Sequence, residues 1–296
     1  SGHDLLTTVC LATAARIVLA PAMNQQMWRN QTTAANVSAL QASGVRLLGP
    51  DSGEQACGDV GMGRMLQPVD IAQELSQLFK TNSLAGQAVM ITAGPTWEAL
   101  DPVRGITNHS SGKMGYALAE AAAEAGAAVT LISGPTHLPQ PTNVTFVSVQ
   151  SAADMHAAVF ADIEQQSVFI GVAAVADYRP ITSEEQKIKK HDDEMIIHLV
   201  KNPDILAEVA ALKKRPLCIG FAAETNNVSE YARNKLHKKR LDMIVANEVG
   251  GTETGFGSQD NAVTLITQSK ETKLPRASKT VIAQQIIAAV ATLVDQ

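Results

Sequence analysis

The sequence predicts an α/β protein whose main domain is a Rossmann-like parallel sheet flanked by helices, and three observations favour this fold class. From residue 88 onward, short apolar strands alternate with helical stretches, as in parallel βαβ units with right-handed crossovers. Apolar residues make up 45% of the chain and aromatic residues 4%, so the core must consist mainly of aliphatic side chains, which suits helices packed on a parallel sheet. The 296 residues exceed one domain of the usual ~100 to 200 residues, so we expect two domains.

The first 80 residues form a shorter unit ahead of that sheet. Their pattern predicts a helical start, followed by a strand at 16–19, a helix near 33–43, a strand at 45–48 and a closing helix at 69–79. Residues 51–65 carry four glycines and are predicted to form a glycine-dense loop. Residues 80–87 have no apolar periodicity, so we place the domain boundary there.

The second unit should contain strands and helices in alternation. We expect strands at 88–92, 128–133, 144–149, 168–172, 217–221 and 242–246, and a later strand with one wet face at 261–267. We expect helices at 116–124, after the N-cap Ser151, from Asp204, at 228–239 and at 279–294.

Charge and cysteine content exclude several function classes. The chain has 24 Lys and Arg against 29 Asp and Glu, a net charge of −5, which argues against bulk nucleic-acid binding because phosphate readers carry a basic surplus. Three scattered cysteines, Cys10, Cys57 and Cys218, make no disulfide framework and favour a reducing compartment, so we expect a cytoplasmic protein. No apolar run approaches the ~20 residues that span a bilayer, so no membrane partner is expected.

Polar residues follow the first strand of the second unit, at the sheet edge where α/β proteins bind ligands. The small-residue turn at 93–96 and the segment 110–115 before a helix are suited to holding an anion on exposed N–H groups. The dinucleotide and P-loop fingerprints both fail, since Lys113 is followed by Met114 and no triple glycine occurs. The glycines alone are also compatible with simple helix-to-strand packing. The neighbouring polar density favours a site, and it comprises Asp101, Arg104, Asn108, His109, Ser110 and Ser111.

A second polar cluster follows the strand predicted at 168–172. Asp177 lies just beyond the strand end, where a carboxylate binds a ribose hydroxyl or a metal–phosphate group. The lysines at 187, 189 and 190 suit an arm that closes over polyphosphate, although a charge run is more often a solvated face. No HExxH or paired Cys/His pattern occurs, so the metal ligands stay unknown, and no Gly-x-Ser-x-Gly elbow supports a serine hydrolase.

Several strings in a fixed order carry a resemblance to a known family. They are ITAGPT at 91–96, DPVR at 101–104, NHSSGKMG at 108–115, AAVADY at 173–178, KIKK at 187–190, KNPD at 201–204 and GFAAET at 220–225. Together they resemble the synthetase half of the bacterial bifunctional phosphopantothenoylcysteine decarboxylase/synthetase. PAMN at 21–24 and ACGDVGMGRM at 56–65 resemble the C-terminal part of its flavodoxin-like decarboxylase. The resemblance implies a partial decarboxylase domain at 1–80 and a ligase domain at 81–296.

For the second domain, the resemblance implies a CTP-dependent amide ligation in coenzyme A biosynthesis. The carboxylate of 4'-phosphopantothenate attacks the α-phosphate of CTP, which gives an acyl-cytidylate and pyrophosphate, and the amine of L-cysteine then displaces CMP. Mg²⁺ is expected on the triphosphate, because pyrophosphate is otherwise a poor leaving group. The family pattern also implies a homodimer whose active site takes in residues of both subunits.

The family pattern assigns roles to individual residues. Lys187 stabilises the charge that develops at the α-phosphate, and Asn108 with Arg104 holds the acyl intermediate for attack by cysteine. The implied nucleotide-binding residues are Gly171, Val172, Ala173, Asp177, Lys187, Pro203, Asp204, Ile205, Leu206, Phe221, Lys235 and Lys239.

For the first domain, the resemblance implies only part of a decarboxylase. Cys57 matches the proton donor to the enethiolate, and Asn24 matches a substrate-binding residue. The family places its flavin-phosphate loop and catalytic histidine upstream of Ser1, so FMN is implied for the complete domain and not for this chain, whose start we expect to be a cut in a longer chain. Two alternatives stay open, namely an FMN-dependent decarboxylase completed by another chain with a nucleotide-sensing second domain, and a non-catalytic nucleotide-binding module.

Overall fold

The computed structural model describes residues 4–55, 58–78, 80–189, 195–224, 228–248 and 260–295. The chain divides into two compact units, Ser1–Lys80 and Thr81–Gln296. No helix in the described ranges is both long enough and apolar enough to cross a bilayer.

The first unit consists of short helices and two small sheets. Its elements are α1 (Leu5–Ala12), β1 (Val18–Leu19), α2 (Gln25–Arg29), α3 (Gln31–Ala42), β2 (Arg46–Leu47), β3 (Asp51–Glu54), β4 (Val60–Arg64) and α4 (Pro68–Leu78). Strand β1 pairs with β2 in parallel, and β3 pairs with β4 in antiparallel orientation. The side chains of Asp4, Asn24 and Asn30 cap the first three helices, because each accepts a hydrogen bond from a backbone N–H in the first turn.

The glycine-dense segment is a hairpin, and the prediction of a loop over 51–65 was therefore wrong. Gly58, with φ of 84° and open space around its Cβ position, serves the turn, whereas Gly63 permits a close approach. A Cβ on Gly63, whose φ is 137°, would collide with the carbonyl oxygen of Met23, and the Met23 N–H donates to the Gly63 carbonyl at 2.9 Å. The hairpin can therefore lie directly against segment 21–24.

The second unit is built on one eight-stranded sheet. Its strands and helices are β5 (Ala88–Ala93), β6 (Trp97–Ala99), β7 (Gly105–Thr107), α5 (Lys113–Glu124), β8 (Ala128–Ser133), β9 (Thr145–Ser148), α6 (Ala152–Asp162), β10 (Val168–Gly171), β11 (Tyr178–Pro180), β12 (Leu199–Lys201), α7 (Ile205–Ala210), β13 (Leu217–Glu224), α8 (Val228–Lys238), β14 (Met243–Glu248), β15 (Asp260–Thr267), β16 (Glu271–Ser278) and α9 (Lys279–Val294). The strand order is β16-β15-β14-β13-β10-β5-β8-β9. The six strands from β14 to β9 are parallel, β15 runs antiparallel to β14, and β16 runs antiparallel to β15. The predicted Rossmann-like fold class is confirmed.

The core lies on both faces of this sheet. Alternate strand residues point to opposite sides, so that Ile91 packs against α5 and α9 whereas Met90 belongs to the layer of α6, α7 and α8. Fully buried aliphatic side chains such as Leu118 and Ile286 fill these layers, and each contributes about 1.5 to 3 kcal/mol by leaving water. The sheet thereby fixes the positions of the loops at its carboxyl edge.

In the second unit, two strand pairs and one further strand escaped prediction. The hairpin β6–β7 and the ribbon β11–β12 have strands of three residues each, too short for a periodic pattern. Strand β16 contains Pro275 and has a half-exposed, irregular burial pattern, which is tolerated because β16 is an edge strand.

Candidate active site

A cavity of about 230 Å³ opens at the carboxyl ends of β10 and β13, and we call it the β10 cavity. It brings together most of the residues that the resemblance assigns to nucleotide binding. Its lining comprises Thr92, Phe169, Gly171, Ala173, Ala174, Val175, Ala176, Asp177, Lys201, Asn202, Pro203, Asp204, Ile205, Leu206, Phe221, Lys235 and Lys239. Of the assigned residues, Val172 and Lys187 do not line it.

One wall of the β10 cavity is cationic and rigidly held. Lys235 and Lys239 lie one turn apart at the C-terminal end of α8. Lys235 Nζ donates to the Phe221 carbonyl at 2.8 Å, and Lys239 Nζ lies 2.6 Å from Asp204 Oδ2. Burial acts to raise the pKa of Asp204, but the hydrogen bonds from Lys239 and the Ala207 N–H outweigh it and lower that pKa. Two ammonium groups at one wall suit an anionic ligand.

The loop after β10 is held by two buried polar residues, Asn202 and Thr96, to which the family pattern assigns no role. Asn202 is 6% exposed; its Nδ2 donates to the Ala176 carbonyl at 2.8 Å, and its Oδ1 accepts from Arg179 Nη1 at 2.9 Å. Thr96 is fully buried and its Oγ1 accepts from the Ala176 N–H at 3.0 Å. Asn202 and Thr96 belong to the quoted strings KNPD and ITAGPT, and this membership was the sequence signal that could have identified them.

A second cavity of about 200 Å³ lies at the N-terminus of α5, and we call it the α5 cavity. It shares Gly171, Ala173, Ala174 and Phe221 with the β10 cavity, so the two adjoin. The rest of its lining is Gly94, Ser110, Ser111, Gly112, Lys113, Met114, Gly115, Val172, Ala222, Asn247, Asn261 and Lys279.

The α5 cavity is also suited to an anion. Gly112, with φ of 74°, precedes α5 and provides no side-chain cap, so the first N–H groups of the helix face the cavity end. Burial, together with repulsion from Lys113, lowers the pKa of Lys279, which places two ammonium groups near each other. The Asn247 Oδ1 is buried and has no hydrogen-bond donor within the described part of the chain.

Asn108 lies beside the wall that the two cavities share. It follows β7, and its Nδ2 donates to the carbonyls of Ala174 and Val175 at 3.2 and 3.1 Å. The structure therefore brings Asn108 to the predicted nucleotide residues.

Arg104 and Lys187 occupy a different place. Arg104 Nη2 donates to the Ile188 carbonyl at 2.8 Å. The structure therefore brings the turn 101–104 together with residues 187–189, which we call the lysine segment. Lys187 lines a third cavity of about 580 Å³ together with Leu100 and Pro180. Within one chain, Lys187 does not close over the β10 cavity, which differs from the expectation of a lysine arm that closes over polyphosphate.

Of the two residues that the resemblance assigns to the first unit, the structure describes Asn24 and does not describe Cys57. Asn24 caps α2 by accepting from the Gln26 N–H at 2.8 Å, and its Nδ2 donates to Asp59 Oδ2 at 3.4 Å. Cys57 lies outside the described residues. Within the described ranges, no group of three or more His, Cys, Asp or Glu side chains could hold a metal ion.

Comparison with known proteins identifies the family. A family model described as the DNA/pantothenate metabolism flavoprotein C-terminal domain matches residues 84–293, and a flavoprotein model matches residues 3–80. The Coenzyme A biosynthesis bifunctional protein CoaBC of Vibrio vulnificus (strain CMCP6) is 54% identical over 295 residues, which cover 99% of this chain and 74% of that protein. The chain belongs to the CoaBC family.

Other CoaBC proteins match the chain to a similar extent. The protein of Escherichia coli (strain K12) is 52% identical over 299 residues and has the same coverage. A crystal structure of the C-terminal domain of a CoaBC protein matches with a TM-score of 0.63 at 42% identity, over 73% of this chain and 99% of that chain. The match extends over nearly all of the crystallised domain.

Proposed function

We propose that residues 81–296 are a ligase of coenzyme A biosynthesis that joins 4'-phosphopantothenate to L-cysteine at the expense of CTP. The observation that carries the proposal is the pair of adjoining cavities, since three lysines line one and two line the other, and they share one wall. One cavity can hold a nucleotide and the other a second phosphorylated group. The lysines of the two cavities and the family membership fit a reaction between two anionic substrates.

The chemistry takes two balanced steps. The carboxylate oxygen of phosphopantothenate forms a bond to the α-phosphorus of CTP, and the bond to pyrophosphate breaks. The cysteine amine then attacks the acyl carbon, CMP leaves with the electron pair of its oxygen bond, and the amine loses a proton. In this scheme Lys187 offsets the charge at the α-phosphorus, and Asn108 and Arg104 orient the acyl-cytidylate.

The proposed site is completed across a homodimer. Arg104 and Lys187 lie together and apart from the β10 cavity of their own chain, so we assign them to the cavity of the partner subunit. The lysine segment and the β11–β12 ribbon beside it expose apolar side chains, as a dimer contact would require. These include Ile181, Ile196, Leu199 and Val200, which are 63%, 81%, 44% and 38% exposed.

Mg²⁺ fits the proposal as part of the nucleotide complex. The carboxylate of Asp177 lines the β10 cavity, and a carboxylate oxygen is a suitable ligand for a magnesium ion that also binds phosphates. When bound, the ion would neutralise the triphosphate and aid the departure of pyrophosphate.

We assign residues 1–80 to the C-terminal part of a flavoprotein decarboxylase domain, with Asn24 as a substrate-binding residue and Cys57 as proton donor. The flavoprotein family match supports this assignment. No described strand of this unit leads through a glycine-rich turn into a helix, so these residues do not offer a flavin-phosphate site. A reducing compartment, the cytoplasm, suits the scattered cysteines.

The decisive experiment measures nucleoside monophosphate formation with CTP, ATP and UTP in the presence of phosphopantothenate and cysteine. We expect CMP from CTP alone, and only when phosphopantothenate is present. Absence of CMP would contradict the proposal. The competing hypothesis of a decarboxylase with a nucleotide sensor predicts flavin absorbance in the purified protein and no CMP.

A further inference from the structure

The turn between β6 and β7 contains a buried carboxylate, Asp101, that the proposed chemistry does not use. Asp101 is 2% exposed and accepts five hydrogen bonds from described residues. Its Oδ1 accepts from the backbone N–H groups of Val103 and Arg104, both at 2.8 Å. Its Oδ2 accepts from Arg104 Nε at 2.9 Å and Nη2 at 2.6 Å, and from the Ile188 N–H at 3.1 Å. One carboxylate therefore ties the turn to the lysine segment.

A second attachment holds the same segment on the other side of Lys187. The Glu184 N–H donates to the Leu100 carbonyl at 2.9 Å. The exposed Lys187 thus lies between two fixed points, Glu184 and Ile188. Its backbone is anchored even though its side chain is free to reach outward.

The charge of Asp101 is fixed by its partners. Burial acts to raise the pKa of Asp101, but the Val103 N–H and the Arg104 guanidinium outweigh burial and hold the pKa well below its ordinary value. The carboxyl is therefore ionised at neutral pH, and it engages Arg104 through a paired, charge-assisted contact that fixes the plane of the guanidinium.

We propose that Asp101 is a positioning residue that holds the Arg104 guanidinium and the Lys187 segment together as one cationic unit. This inference rests on the proposed ligase function, in which both cations act on the activated acid. Asp101 makes no contact with substrate in this scheme and acts only through Arg104 and Ile188. Displacement of a catalytic group by about 1 Å can reduce the rate about 100-fold. Removal of the Asp101 carboxylate should therefore lower kcat.

The test variant is Asp101→Asn, which keeps the size of the side chain. An amide has one acceptor oxygen, so it can serve either the backbone N–H groups of the turn or the Arg104 and Ile188 donors, but not both. We expect kcat for CMP formation to fall about 100-fold. The KM for CTP should change by less than about threefold, because the β10 cavity is untouched. Hydrogen exchange at the Ile188 amide should be faster.

The matched control is Glu98→Gln in the same hairpin. Glu98 is also buried, at 3% exposure, and its Oε1 accepts from the Ala152 N–H at 2.9 Å, a bond that glutamine preserves. We expect this control to keep the wild-type kcat and the slow exchange of the Ile188 amide.

A second pair of variants separates positioning from folding, should Asp101→Asn fold poorly. Ile188→Pro removes the N–H that Asp101 accepts and leaves the Asp101–Arg104 contact in place, whereas Ile188→Ala keeps that N–H. We expect a large loss of kcat in Ile188→Pro and a small one in Ile188→Ala. Equal kcat in these two variants would overturn the proposal.

Other outcomes are equally decisive. Wild-type kcat in folded Asp101→Asn, even with a lowered melting temperature, would show that Asp101 serves stability alone. Unchanged exchange at Ile188 would show that the contact does not hold the segment. If the wild-type protein itself forms no CMP from CTP, the ligase proposal fails instead, and Ile188 exchange still tests the contact.

Discussion

The Asn108 side chain links the segment after β7 to the wall that the β10 and α5 cavities share. Its amide nitrogen donates to two carbonyls of the loop after β10, and only a donor can fill that position. We expect Asn108→Asp to slow the cysteine step more than acyl-cytidylate formation, because the carboxylate repels both carbonyls and an anionic intermediate. Quenched-flow chromatography would follow the two steps. Equal losses in both steps would refute this division of roles.

Lys187 provides a test of the first chemical step. Its side chain is exposed, so Lys187→Gln should leave the fold intact while it slows acyl-cytidylate formation about 100- to 1000-fold. Lys213→Gln, at an exposed lysine after α7, is the control and should lose little activity. Single-turnover pyrophosphate release measures the step, and normal release in Lys187→Gln would remove this residue from the mechanism.

The sequence predicted which residue types form the site better than where each one lies. Asp177, Phe221 and Lys235, which the family pattern assigned to nucleotide binding, line one cavity, because all three follow or flank neighbouring parallel strands. The separation of Lys187 from that cavity could not be predicted, since it depends on the contact between Ile188 and Asp101, 87 residues apart in the chain. Buried polar links such as Asn202 to Ala176 are invisible for the same reason.

The start of helix α6 could be predicted from the local sequence alone. Ser151 Oγ accepts from the Asp154 N–H at 3.1 Å, and the Asp154 carboxylate accepts from the Ser151 N–H at 2.9 Å, which confirms the predicted N-cap and completes a capping box. By contrast, the hairpin β3–β4 was missed because Gly63 serves a contact with Met23 that the local sequence does not show.

The N-cap gives a prediction for stability. Ser151→Ala should destabilise the second unit by about 1 kcal/mol, because an N–H in the first turn loses its acceptor. For a unit of this size that corresponds to a fall of roughly 2 to 4 °C in Tm. Ser148→Ala, an exposed residue at the end of β9, is the matched control. Calorimetry should show no change for the control, and an equal fall in both variants would argue against the cap.

The two units differ in the fraction of their residues that is buried. None of the residues in α1, α2 or α3 is buried, whereas strands β5, β8 and β10 are almost wholly buried. We expect amides of the first three helices to exchange with solvent within seconds to minutes, and those of the central strands to exchange only by global unfolding. Exchange measured by mass spectrometry checks this, and comparable protection in the two units would contradict it.

A site shared between subunits can be tested by complementation. Lys187→Gln and Lys235→Gln should each be inactive alone. If Lys187 serves the partner's β10 cavity, each mixed dimer keeps one intact site, and a re-equilibrated equal mixture should recover about a quarter of wild-type activity. A mixture that stays inactive, although mixed dimers form, would place both lysines in the same chain's site.

The outermost strand β16 has a consequence for the behaviour of the protein in concentrated solution. A free sheet border normally recruits further strands from other molecules, but the exposed Pro275 has no N–H to offer, and the exposed Lys273 and Arg276 repel a like border. Aggregation by lateral strand addition is therefore disfavoured on this side of the sheet, and replacing these three residues should be what allows it.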